Sequence, residues 1–210
     1  MGQPVDTDEA SVTRPLSRKR RQTQARLLDA ALDAFAERGF YGTSVEDVCE
    51  RAGFTRGAFY SNFSSKEELF VALYARQADG ILTTLTDLAP SAGDSLESAL
   101  TSLVAAIPRD RRWHLVNTEF ALHAVRDPAA GESYAAARAR VRASFAARFA
   151  EVVERFGQEL TVPVDELIRW LFAVHDGAVA QSYVERDGAD DITGRVVPLL
   201  VAAVTRRAMP

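Results

Sequence analysis

The run Thr55-Arg56-Gly57-Ala58-Phe59-Tyr60-Ser61-Asn62-Phe63 has the wrong composition for an ordinary exposed helix. Phe59 and Phe63 fall one turn apart and can anchor the segment on a core. Arg56, Ala58, Tyr60, Ser61 and Asn62 are then left facing outward. That face has one cation, several hydrogen-bonding groups and a methyl, with none of the Glu and Lys that clothe most solvent-facing helices. Each group has a partner on duplex DNA. A guanidinium can donate two bonds to a guanine edge, a methyl can meet that of thymine, and Tyr60, Asn62 and the following Lys66 can hold phosphates and set register. Gly57 allows close approach of the backbone.

The elements needed to present such a helix stand around it. Thr43-x-x-Glu46 reads as a capping box opening a short helix with Val45, Val48, Cys49 and Ala52 on its apolar face. Thr43 and Ser44 bring hydroxyls and free N–H groups suited to a phosphate. Gly53 allows a tight turn, Phe54 can plug the core beneath it, and Thr55 can cap the next helix. Residues 44–63 thus read as a helix-turn-helix. Ser64-Ser65-Lys66-Glu67-Glu68 holds two overlapping capping boxes that open a long fourth helix with Leu69, Leu73, Ile81 and Leu85. The first helix runs from about Arg18 to Arg38, with Leu28, Ala31, Leu32 and Phe35 inward and Gly39 after its end. Residues 1–17 read as a flexible tail.

Charge is uneven. Residues 1–66 carry ten basic and nine acidic side chains, and residues 67–210 carry fifteen and twenty, within a net charge of -4. Arg14, Arg18, Lys19, Arg20, Arg21 and Arg26 form a run uninterrupted by acids, which suits a polyanion. Arg20 and Arg21 can follow the phosphate backbone or enter the minor groove.

The segment from Ala52 through Arg56, Tyr60 and Lys66 to Leu69, with the upstream Ala25-x-x-Leu28-x-x-Ala31-x-x-x-Phe35-x-x-x-Gly39-Phe40-x-x-Thr43, resembles the signature of the TetR family of transcriptional regulators over about residues 20–75. Ser61 stands where that family often has an aromatic residue and Asn62 where histidine is common. Beyond it, Glu119-Phe120, Arg126-Asp127-Pro128 and Asp176-Gly177 with Gln181 agree. The resemblance implies an all-α fold of about nine helices. A DNA-binding domain over 18–78 would be joined through the fourth helix to a ligand-binding and dimerisation domain over 79–210. It also implies a homodimer on a palindromic operator and a small-molecule effector that swings the fourth helix.

The remainder of the chain is compatible with that plan. Leu96, Leu100, Leu103 and Ile107 suggest a fifth helix stopped by Pro108, and Trp113, Val116 and Phe120 a sixth stopped by Asp127-Pro128. A long seventh ends near Phe156-Gly157. Pro163 suits the first position of an eighth, running to about Arg186 and the break at Asp187-Gly188. A ninth starts near Ile192, with Pro198 inside it predicting a kink or late start. Pro90, Gly93 and Asp94 separate the fourth helix from the fifth. No alternation long enough for a strand is present.

Candidate effector contacts are Trp113, Asn117, Phe120 and His123 on the sixth helix and Trp170 and His175 on the eighth, apolar walls with a few polar groups. Candidate dimer contacts are Gly177 and Ala180, which permit close helix approach, with Val197, Leu200 and Val204. His114 and His123 lack metal-ligand spacing, and no metal or cofactor is expected. One cysteine, Cys49, excludes a disulfide framework. No run approaches the ~18 apolar residues of a membrane span, and Met1 to Arg21 lacks the apolar region of a signal peptide, so a cytoplasmic protein is expected. An enzyme lacks any supporting motif here. A protein-only scaffold is disfavoured by the polar face at 55–62. Repression through an apolar or aromatic effector is the expected activity, and activation or effector-free global regulation is the alternative.

Overall fold

A computed structural model describes residues 18–87, 95–107, 109–185 and 192–208. The N-terminal portion comprises α1 (Arg18–Gly42), α2 (Val45–Ala52), α3 (Arg56–Tyr60) and the long α4 (Lys66–Thr86). It is followed by α5 (Leu96–Ala106), α6 (Arg111–Arg126), α7 (Pro128–Arg155), α8 (Val164–Val184) and α9 (Ile192–Ala203). The all-α expectation holds in element type and order. The exception is a short antiparallel pair, β1 (Gln158–Leu160) with β2 (Thr205–Arg207), in which Glu159 lies opposite Arg206. Three residues per strand are too few to show a period in sequence. The expected tail over 1–17 with Arg14, and the breaks at Pro90, Gly93 and Asp94, at Pro108 and at Asp187-Gly188, lie outside the described residues. Among the described residues no helix is long and apolar enough to cross a membrane.

Caps explain most boundaries, and one corrects the sequence reading. Ser44, not Thr43, is the N-cap of α2, and its box partner is Asp47 rather than Glu46. Adjacent Thr and Ser, followed by adjacent Glu and Asp, satisfy the same pattern in either register. Gly53 closes α2 in the left-handed region at φ 69. Thr55 and Ser65 cap α3 and α4 as expected. Asp127 caps α7 with Pro128 in its first turn. Pro163 occupies the cap position of α8 and not its first helical residue, while Pro198 sits within α9.

Two apolar clusters fill the molecule. The first joins Leu27, Ala31 and Phe35 of α1, Val48 and Cys49 of α2, Phe59 of α3 and Phe70 and Leu73 of α4 to Val116 and Phe120 of α6 and Tyr134 and Val141 of α7. The core therefore does not stop at residue 78, and α6 and α7 complete it. The second unites Leu100 of α5, Phe149 and Val152 of α7, Ile168 of α8 and Val201 of α9.

The two halves meet at a bend in α1. Gly39 departs from helical geometry at φ 78 and ψ 162, after which the chain makes one more turn to Gly42. A Cβ at Gly39 would lie 2.9 Å from Glu119 Oε2 of α6. Both the backbone region and the space thus call for glycine. Gly39→Ala should cost about 1–3 kcal/mol of stability, read as a shift of the urea midpoint at unchanged slope. A midpoint equal to that of the parent protein would contradict this.

Candidate nucleic-acid interface

α3 is anchored by Phe59, which is fully buried, with Phe63 beside it. The Thr55 hydroxyl accepts from Ala58 N at 3.2 Å, holding the first turn closed. Arg56 and Tyr60 project outward, Arg56 with 62% of its side chain exposed and Tyr60 half exposed. The Arg56 guanidinium lies 5.7 Å from the centre of the Tyr60 ring and 2.6 Å from Glu46 Oε1 of α2. Glu46, whose spacing suggests a capping acid, instead pairs with Arg56. Gly57 is exposed, and a Cβ there would meet only the Thr55 hydroxyl at 3.7 Å, an ordinary contact. Ser61 is exposed, its hydroxyl donating to Ala58 O at 2.9 Å, and Ala58 is half buried. Ser44 opens α2 at the surface, and Arg20 and Arg21 are exposed at the start of α1. Arg20 Nη2 donates to Ser61 O at 3.2 Å, which ties the basic end of α1 to the end of α3.

Three residues expected to meet phosphates have other work. Thr43 is 1% exposed, and its hydroxyl donates to Ala34 O and Gly39 O, bridging the bend in α1. Asn62 turns inward, its Nδ2 donating to Ala58 O at 2.8 Å to finish α3, with Oδ1 buried and unpartnered among the described residues. Lys66 reaches back over the Phe40 ring, 4.4 Å from its centre, and donates to Phe40 O at 2.6 Å and Thr43 O at 2.8 Å. Burial pulls the Lys66 pKa down, against the pull of Glu67. An ammonium holding two carbonyls is a brace between α4 and the bend, not an exposed phosphate clamp. These contacts join residues distant in sequence, so the local pattern could not display them.

The α1–α2 corner is held by ion pairs of Arg38 with Asp47 and Arg51 with Glu37. Arg26 donates to Ala52 O at 2.8 Å and covers the Phe54 ring. The Ser44 hydroxyl and backbone N–H, with Arg38, hold the Asp47 carboxyl down to about 2.

Behind this end, the two apolar clusters leave a cavity of about 170 Å³ between α4, α5, α6, α7, α8 and α9. Trp113, Asn117 and His175 line it, along with Tyr74, Phe145 and Phe172. Phe120, His123 and Trp170 do not, which corrects the sequence reading. Phe120 is fully buried and stacks on Phe70 at 3.7 Å between ring centres. His123 packs on Phe40, with Nδ1 hydrogen-bonded to the Tyr41 hydroxyl at 2.8 Å. Trp170 packs against the second cluster. Helical spacing shows a stripe but not which part of it borders empty space.

An ion pair, Arg138 with Asp176, stands in the cavity wall. Arg138 Nη1 donates to Tyr134 Oη at 3.2 Å, and Nη2 donates to Asp176 Oδ2 at 3.1 Å. Tyr134 in turn donates to Asn117 Oδ1 at 2.9 Å. Burial opposes the Arg138 charge, but Tyr134, Tyr74 and Asp176 carry its pKa upward. A larger groove of about 430 Å³ lies beside the strand pair, rimmed by Arg206 and Glu97. Phe156 is its one aromatic lining residue among those described.

Among the expected dimer contacts, Gly177 is exposed with nothing near its Cβ position, and Ala180 and Leu200 are partly exposed. Val197 and Val204 are turned into the protein's own core, so neither is available to a partner. Val184 of α8 and Leu199 of α9, at 79% and 66% exposed, supply apolar surface there instead.

The profile of "Bacterial regulatory proteins, tetR family" matches residues 27–73. The chain is 33% identical over 64 residues to the HTH-type transcriptional activator FasR of Mycolicibacterium smegmatis, covering 30% of this chain and 29% of that protein. It is 37% identical over 71 residues to the HTH-type transcriptional repressor KstR2 of Mycobacterium tuberculosis, covering 34% and 36%. The chain thus matches these curated relatives over about a third of their length. Likeness of the whole fold extends further. Salmonella enterica GusR superposes with a TM-score of 0.68 at 25% identity, covering 91% of this chain and 97% of that one.

The depressed Asp47 carboxyl has a pH signature. Its folded-state value lies below the ordinary value of 3.8, so its contribution is present above about pH 4 and is lost as pH falls toward 2. Asp47→Asn should lower the melting temperature at pH 6, and the gap to the parent protein should close near pH 2. A gap that persists unchanged in acid would contradict the capping role.

Proposed function

We propose, from the match of residues 27–73 to the tetR-family profile, that this chain belongs to the TetR family and is a homodimeric repressor that binds a palindromic DNA operator and releases it on binding a small effector. In this reading the chain is a regulator and not an enzyme. The observation that carries DNA binding is the bare face of α3. Arg56, Tyr60 and Ser61 are exposed together on a helix whose other side is sealed by Phe59. Gly57 adds to it: the protein leaves room there for a side chain, so glycine is better explained by an outside backbone or base approaching closely. In this reading Arg56 reads a base edge and Ala58 a thymine methyl. Tyr60, Thr55, Arg20 and Arg21 hold phosphates, while Ser44 and Ser61 lie beside them with their hydroxyls engaged by Asp47 and Ala58 O and would have to exchange those partners to join. Arg56 exchanges Glu46 for DNA on binding.

A recognition helix of five residues reads few base pairs, so a two-fold pair of subunits is needed for specificity. The exposed Val184 and Leu199 with the Gly177 strip support α8 and α9 as the pairing surface. The cavity supports the effector. Trp113 and Asn117 of α6 line it, and two turns on, Glu119 and His123 of the same helix hold Phe40 and Tyr41. α4 is similar, with Tyr74 and Gln77 at the cavity and Lys66 on the bend. An effector that moves either helix shifts the DNA-binding unit. This extends the expectation that α4 alone swings. KstR2, a repressor by name, supports repression.

Fluorescence anisotropy on the DNA upstream of the gene, at fixed salt, tests the interface. Arg56→Ala should weaken binding by about 1–3 kcal/mol, and Glu46→Gln should tighten it by removing an acid from beside the phosphates. Affinities equal to the parent protein for both variants would remove α3 as the reading helix.

A further inference from the structure

We propose that the cavity takes a monocyclic aromatic carboxylate, its ring lying among Trp113, Phe145 and Phe172 and its carboxylate replacing Asp176 on Arg138. The inference names the ligand class for the effector site above, and rests on that reading only for the link to DNA.

Size, walls and charge each narrow the ligand. The cavity measures about 170 Å³, about the size at which an apolar cavity holds a single benzene ring. Its walls are rich in aromatic edges and faces from Tyr74, Trp113, Phe145, Phe149 and Phe172. Phe145 and Phe172 already meet edge to face at 5.3 Å, the geometry in which a further ring gains beyond its buried area.

The charge argument turns on an asymmetry between two partners. Arg138 and Asp176 are the cation and the acid lining the cavity. The Arg138 side chain is only 25% exposed, whereas that of Asp176 is 45% exposed. Asp176 can therefore turn to water at little cost, whereas Arg138 would then keep only the neutral Tyr134 hydroxyl and lack an opposite charge. A guanidinium has five N–H donors in a planar fork matched to a carboxylate. Tyr134 and Asp176 are its hydrogen-bond partners here. An incoming carboxylate keeps the buried charge balanced and can bind in bidentate fashion. An alcohol supplies only a neutral acceptor, and an ammonium would add a second cation beside Arg138. His175, also in the wall, is held below the usual histidine range by burial and so stands neutral at pH 7. It adds no charge that would reverse this order.

Calorimetric titration of the full chain, without DNA, with benzoate, benzyl alcohol and benzylamine tests the assignment. Benzoate should bind about tenfold or more tightly than the alcohol, and the amine most weakly. Arg138→Met should abolish the preference for the acid while keeping alcohol binding. Asp176→Asn should tighten benzoate severalfold by removing its competitor. Equal affinities, a preference for the amine, or no binding of any of the three overturns the proposal. If Arg138→Met does not fold, Asp176→Asn decides, and unchanged or weaker benzoate binding overturns it. Anisotropy on the upstream DNA separates the two readings. Benzoate that binds tightly without releasing DNA upholds the ligand class and overturns the effector reading. Release by acid and alcohol at equal concentrations overturns the ligand class and leaves the effector reading standing.

Discussion

Phe40 is held from two helices at once, and the arrangement of the whole N-terminal half depends on it. Its N–H donates to Glu119 Oε2 of α6 at 2.7 Å, and its carbonyl accepts from Lys66 of α4. Its ring meets Phe35, Phe70 and Phe120. The bend at Gly39 breaks the helical ladder and frees backbone groups that would otherwise be buried without partners. Glu119, Lys66 and the Thr43 hydroxyl satisfy them. α2 and α3 hang from this bend, so the pose of the exposed face follows from how α4 and α6 hold it.

The same arrangement joins cavity to surface through contiguous aromatic packing. Trp113 at the cavity stacks on Phe70, Phe70 on Phe120, and Phe120 packs edge to face on Phe40. Close-packed rings do not deform gradually, which is the physical basis for the proposal that a ligand pressing on Trp113 would act on the bend. Both α4 and α6 border the cavity and hold the bend, so in the proposed mechanism the signal would be a shift in their relative placement.

Much of this was legible in sequence because it is local. The order of helices follows from apolar spacing and capping residues, and the face of α3 from two phenylalanines a turn apart. What escaped depends on contacts across the chain. Lys66 looks like a phosphate ligand until it is seen lying over Phe40, and Thr43 like a cap until its hydroxyl is seen bridging α1. Val197 and Val204 belong to a regular apolar stripe, and the stripe alone does not tell a protein's own core from a partner's surface. Asn62 finishes its own helix, a role that any short polar side chain past a helix end can take. Glu46 was read as a capping acid, yet it is the internal partner of Arg56.

The account stands on α3 as the surface that meets DNA. Backbone hydrogen exchange of the full chain, with and without a random-sequence duplex at low salt, tests this directly, because phosphate contacts alone suffice for binding under those conditions. The account predicts added protection at residues 55–61, the start of α2 and the first turn of α1, with α8 and the strand pair unchanged. Bound DNA that leaves residues 55–61 exchanging at their free rate, while protecting another surface, would contradict it.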